Sequence, residues 1–147
     1  MITPSITLNE HMARLKKTWH KMDAIYSDYA KKAGVNFSTL LVLECLGEAS
    51  KTYTQKELCD YLEIPKQMMN GIIKNLWQKG HVILKEASDR RNKEIILTPS
   101  GAEYVASILE PLAEAERSSW ENFSPQELAK LIESMDKYTT ALKQQLS

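Results

Sequence analysis

Residues 54–101 read TQKELCDYLEIPKQMMNGIIKNLWQKGHVILKEASDRRNKEIILTPSG, and the fold turns on this stretch. It opens with Thr54-Gln55-Lys56-Glu57, a capping box in which the Thr hydroxyl accepts the N3 amide while Glu57 reaches back. Tyr53 before it and Leu58 after it fit a hydrophobic staple. The helix turns Leu58 and Leu62 inward and ends by Ile64, because Pro65 cannot continue it but suits the first turn of another. From Pro65 to Lys79 the apolar positions Met69, Ile72, Ile73 and Leu76 form one stripe. Lys66, Gln67, Asn70, Gly71, Lys74 and Asn75 are left facing out, and Gly80 closes the helix. Two helices with almost no loop between them have the spacing of a helix-turn-helix.

The second half of the stretch has a different period. Val82 and Leu84, then Ile95 and Leu97, alternate with other residues as strands do. The loop joining them, ASDRRNK, spans 87–93 and carries Asp89 against Arg90, Arg91 and Lys93. A basic hairpin after a helix pair suits a grip on duplex DNA. Gln and Asn can pair with adenine edges, Lys can reach guanine or phosphate, and an arginine at the tip can enter a narrow minor groove. Exposed Gln, Asn and Lys are also ordinary solvent-facing residues; the hairpin that follows them favours DNA. Gly71 costs helix stability, which either deep seating in a groove or simple tolerance explains.

Outward from this unit the chain is helical. Leu8, Met12, Leu15, Trp19, Met22, Tyr26, Tyr29 and Ala33 alternate steps of four and three, the period of a coiled-coil seam. Gly34 ends that helix. Its length suits a subunit interface, although an ordinary core helix has the same pattern. FSTLLVLECLGEA follows, with Ser38 placed to start a helix that is apolar nearly all round and therefore central. After the hairpin, Thr98 caps a helix with Pro99 at its first position and Val105, Ile108, Leu109 and Leu112 as its stripe. Pro111 inside that run should kink it. Ser124-Pro125-Gln126-Glu127 is a second capping box, opening an amphipathic helix through Leu128, Leu131, Ile132, Met135, Leu142 and Leu146. That helix suits pairing with the first.

The 147 residues are 43% hydrophobic, enough for one domain with appendages. The net charge is zero, but residues 51–93 carry nine Lys/Arg against five Asp/Glu, and residues 94–147 carry four against nine. Such asymmetry lets one face meet phosphate while another stays acidic. No apolar run is long enough for a membrane span and the N-terminus lacks signal-peptide order, so a cytoplasmic protein is the simplest expectation. Cys45 and Cys59 form no ligand spacing, and His11, His20 and His81 are scattered, so neither a metal nor a cofactor is expected. Enzyme function has no support: there is no phosphate loop and no nucleophile with a plausible base.

The order of a long helix, a buried helix, TQKELCDYL, a helix ending in L-x-x-x-G, and DRRNKEIILTPSG resembles the MarR family of bacterial transcription regulators over nearly the whole chain. Its most specific part is Asp89-x-Arg91 followed by Leu97-Thr98-x-x-Gly101. The resemblance implies a mainly α fold with a small β-hairpin. In this fold a winged helix-turn-helix (35–101) is flanked by N-terminal (1–34) and C-terminal (102–147) dimerisation helices. It implies a homodimer on a pseudo-palindromic operator, acting as a repressor that a small phenolic or lipophilic effector could release. DNA-facing residues would be Lys56, Lys66, Gln67, Asn70, Gly71, Lys74, Arg90, Arg91 and Lys93. Arg91 would enter the minor groove, Asp89 would brace the loop and Arg90 would contact phosphate, with the two arginines open to exchange. Trp19, Tyr26, Tyr29 and Cys45 are candidates to line an effector crevice, and equally suit a core or interface. The competing class is a winged-helix interaction module without DNA binding, against which the basic wing speaks.

Overall fold

The computed structural model describes residues 4–87 and 91–147. They fall into two compact units, Met1–Leu109 and Glu110–Ser147. In the first, α1 (Pro4–Lys32) precedes α2 (Phe37–Leu46), β1 (Tyr53–Thr54), α3 (Gln55–Leu62), α4 (Lys66–Gln78), β2 (Val82–Glu86) and β3 (Lys93–Leu97). The chain then enters α5 (Pro99–Trp120), which continues into the second unit, where α6 (Pro125–Leu146) completes it.

Glycine ends α1 and α4 in the same way. Gly34 and Gly80 both adopt positive φ, +83° and +78°, a conformation costly for any residue with a Cβ. The amides of Val35 and His81 then bond back to the carbonyls of Ala30 and Leu76 at 3.0 and 2.9 Å. Each is a Schellman closure that satisfies an otherwise orphaned carbonyl. Expectation and structure differ at the start of α2. The cap is Asn36, whose side chain accepts from the Thr39 amide at 2.8 Å, and Ser38 lies inside the helix. Asn36 has the extended backbone an N-cap requires, φ −91° and ψ 171°.

α2 is the centre of the first unit, with Leu40, Val42, Leu43, Cys45 and Leu46 all buried. Each fully buried Leu contributes on the order of 1.5–3 kcal/mol through removal of its surface from water. The capping box at Thr54–Glu57 is fully formed. Glu63 ends α3 in the left-handed region, φ 54°, which reverses the chain. Pro65 then takes the cap position of α4, so the helix proper begins at Lys66. Met69, Ile72, Ile73 and Leu76 are buried as their spacing predicted.

The expected hairpin is part of a larger sheet. β1 adds a third strand, giving the antiparallel order β1-β3-β2. Lys93 pairs with Glu86, so it belongs to β3 and the connecting loop is 87–92. Tyr53, Ile95 and Leu84 lie in one row across the three strands. The first two are buried, but Leu84 is 41% exposed where alternation predicted an inward side chain. β2 is an edge strand, and at Leu84 the sheet face gives onto an open cleft rather than a helix.

β2 and α5 meet at Thr98. Its hydroxyl donates to the Gly80 carbonyl at 2.6 Å and accepts from the Gly101 amide at 2.9 Å. Its own amide donates to the carbonyl of His81 at 3.0 Å. A Cβ at Gly101 would stand 1.8 Å from that carbonyl oxygen. At the far end of α1, the Tyr29 hydroxyl donates to the Ile108 carbonyl on α5 at 2.5 Å. α5 then runs on through Pro111.

In the second unit, Ser124 and Glu127 form another complete capping box at the start of α6. Trp120 and Phe123 meet edge to face with ring centroids 5.1 Å apart. Gly101→Ala should destabilise the protein by at least about 2 kcal/mol, because backbone must move to admit the methyl group. Denaturant unfolding checks this.

Candidate nucleic-acid interface

α4 presents a polar face because its apolar stripe is committed to the core. Lys66, Gln67, Asn70, Gly71, Lys74 and Asn75 are all exposed, as the sequence predicted. Beside this face, α3, the start of α4 and the sheet edge enclose a cleft of about 530 Å³. Its floor is Leu84 and Ile95, and its rim holds Lys56, Lys66, Arg91 and Lys93. These four cations come from three separate elements and the loop before β3. Among the described residues one carboxylate, Asp60, shares the cleft and pairs with Lys56 at 3.1 Å. Both partners are about 70% exposed, so water screens the pair and it adds little stability. The local potential is therefore positive, which suits phosphate.

Gln55 enters the site without having been expected there. Its side-chain amide donates to Asn70 Oδ1, joining the first turn of α3 to the middle of α4. The capping box sets the direction of Gln55 by fixing where α3 begins. Neither residue's sequence neighbourhood indicates the pair, since 15 positions separate them. Asp89 and Arg90 lie outside the described residues. Arg91 and Lys93 are exposed on the wing, and Lys74 is exposed on α4.

The effector candidates occupy unlike environments. Trp19 is 47% exposed on α1, Tyr26 is half-buried, and the Tyr29 hydroxyl is committed to Ile108. Cys45 is buried in α2, and burial, reinforced by the carboxylates of Glu48 and Glu44, pushes its thiol above the ordinary value. Cys59 is half-buried at the cleft. Among the described residues, no group of three or more His, Cys, Asp or Glu could hold a metal ion. No helix among them is long and apolar enough to cross a membrane.

The family comparison covers this unit. Residues 33–92 match the model of the MarR family. Over this segment the chain is similar to the MarR family. The match runs from the end of α1 to the last residue before β3, so it contains the helix-turn-helix and the first wing strand. Solved structures agree in fold along nearly the whole chain. A MarR family regulator from Neisseria meningitidis superposes with a TM-score of 0.78 at 21% identity, covering 92% of this chain and 96% of that one. MepR of S. aureus in its DNA-binding conformation gives 0.74 at 19% identity, covering 90% and 98%. A MepR–DNA complex gives 0.68 at 19%, covering 97% and 99%. Comparison with curated protein sequences finds none that matches.

The two thiols should differ in reactivity, since the thiolate is the nucleophile and only Cys45 is buried. Cys59 should react with an aromatic disulfide reagent in the native protein, and Cys45 only on unfolding. Mass mapping of the modified peptides over time checks the order.

Proposed function

We propose that the protein is a sequence-specific DNA-binding transcription regulator that acts as a homodimer. The observation that carries this is the meeting of Lys56, Lys66, Arg91 and Lys93 around one cleft, beside the exposed polar face of α4. The cations supply phosphate contacts that position the protein, and the helix face supplies contacts that select a sequence. The MepR–DNA complex shares this fold, which supports α4 as the groove-entering helix and the β2–β3 wing as its flank.

Within α4 the roles divide. Gln67 and Asn70 are the amides assigned to adenine edges, with Gln55 bracing Asn70 from α3. Lys74 reaches guanine or phosphate. Arg91 is the wing arginine assigned to the minor groove, with Arg90 on phosphate and Asp89 bracing the loop.

Dimerisation is supported by apolar surface on both outer helices. On α1, Leu8, Met12, Trp19, Met22 and Ile25 are exposed, and on α6, Leu131, Ile132, Tyr138, Leu142 and Leu146 are. Amphipathic helices of this kind require an apolar partner, and a second copy supplies one. Two α4 helices in a symmetric dimer would meet successive major grooves about one helical turn apart, hence a pseudo-palindromic operator. Repression follows if that operator overlaps a promoter.

Affinity for promoter DNA should fall by about a thousandfold or more between roughly 50 and 200 mM salt, as two sets of cations displace counterions. Arg91→Ala should weaken binding about tenfold or more. Fluorescence anisotropy across a salt series measures both, and salt-independent binding would refute the proposal. Ile132→Asp, at a position 62% exposed, should convert dimer to monomer without loss of helix content, as followed by sedimentation velocity and circular dichroism.

A further inference from the structure

Gly71 stands in the middle of the exposed stripe of α4. Gln67 precedes it by one turn, and Lys74 and Gln78 follow at three and seven residues, so all four share a face. A Cβ at Gly71 would meet nothing within 4 Å beyond its chain neighbours and its own helix backbone, and its φ is not in the left-handed region. Neither packing nor backbone conformation calls for glycine there. Its helix-interior position nevertheless makes folding less favourable than alanine would. Deep seating in a groove, on the side the stripe faces, accounts for a bare backbone at this position.

The notch has a definite chemistry. It opens on a groove of about 300 Å³ whose apolar wall is Met68 and Ile72 and whose polar edge is Asn36, Thr39 and Asn75. At Gly71 itself the floor is helix backbone, with its amides and carbonyls already bonded along α4. Such a floor offers no polar partner, so its occupant is apolar and about the size of a methyl group. In the major groove the apolar group on a base edge is the C5-methyl of thymine.

We propose that Gly71 determines specificity: its notch receives a thymine methyl in each half-site, while Gln67 and Lys74 bond the neighbouring base edges. This rests on the DNA-binding function proposed above. A side chain at this position would hold the helix away from the groove floor and separate Gln67 and Lys74 from their partners.

The test uses the full chain and duplexes enriched from a randomised pool. Gly71→Ala should bind the enriched duplex about tenfold more weakly than wild type. Its thermal stability should be equal or higher, which shows that the fold is intact. Uracil in place of the thymine facing the notch should weaken wild type about fourfold, the factor for losing one buried methyl. The same exchange should leave Gly71→Ala unaffected. Undiminished affinity of Gly71→Ala overturns the proposal. So does indifference of wild type to uracil at every thymine, the result expected if a phosphate beside Asn36 and Thr39 filled the groove. In both cases sequence enrichment by wild type leaves DNA binding standing. Failure of wild type to enrich any sequence overturns the DNA-binding function and this inference together.

Discussion

The peptide of His81 and the backbone of Gly101 occupy adjoining space with no room for a Cβ between them. Around that contact Thr98 bonds the Gly80 carbonyl, the His81 carbonyl and the Gly101 amide. Three elements converge there: the end of α4, the start of β2, and the start of α5. The His81 ring stacks on Tyr104 at 4.2 Å, nearly parallel. Its buried Nδ1 has no hydrogen-bond partner among the described residues, so the ring is held by packing. The consequence is geometric. This knot fixes the end of α4 against the start of β2 and the start of α5, and so sets the separation between the polar face of α4 and the hairpin.

The electrostatic design follows from that geometry. The chain has no net charge, and its cations are concentrated in residues 51–93. Folding concentrates them further, placing Lys56, Lys66, Arg91 and Lys93 on one cleft with a single carboxylate among the described residues. Solvent-exposed charges act over about a Debye length, roughly 8–10 Å at physiological salt. Their grouping in space therefore matters more than their number. The same proximity brings Gln55 against Asn70 and ties α3 to α4.

Some of this was legible in particular residues. Thr54 and Glu57, Ser124 and Glu127, and Thr98 each mark a helix start through local hydrogen bonds, and all three helices begin there. The stripe Met69, Ile72, Ile73 and Leu76 is buried because its spacing allows one face only. Other features depended on distant partners. Ser38 had the right residue type for a cap, but Asn36 holds the extended conformation and takes that place. Tyr53 became a strand because β3 lies alongside it, and no pattern in two residues could show that. Leu84 alternates correctly, yet it is exposed because its sheet row ends at an open edge.

The linear order of residues, by itself, determined the two helices of the turn, the basic hairpin after them, the glycines that close α1 and α4, and the exposed polar stripe. Each depends on interactions within a few positions of the chain, where local stereochemistry dominates. Tertiary structure decided the third strand, the pairing of Gln55 with Asn70, and the gathering of four cations around one cleft. It also showed that Gly71 faces open space with no neighbour that requires it. The strand, the Gln55–Asn70 pair and the cleft join residues far apart in sequence, so they come into being only when packing around α2 sets the positions of the elements of the first unit.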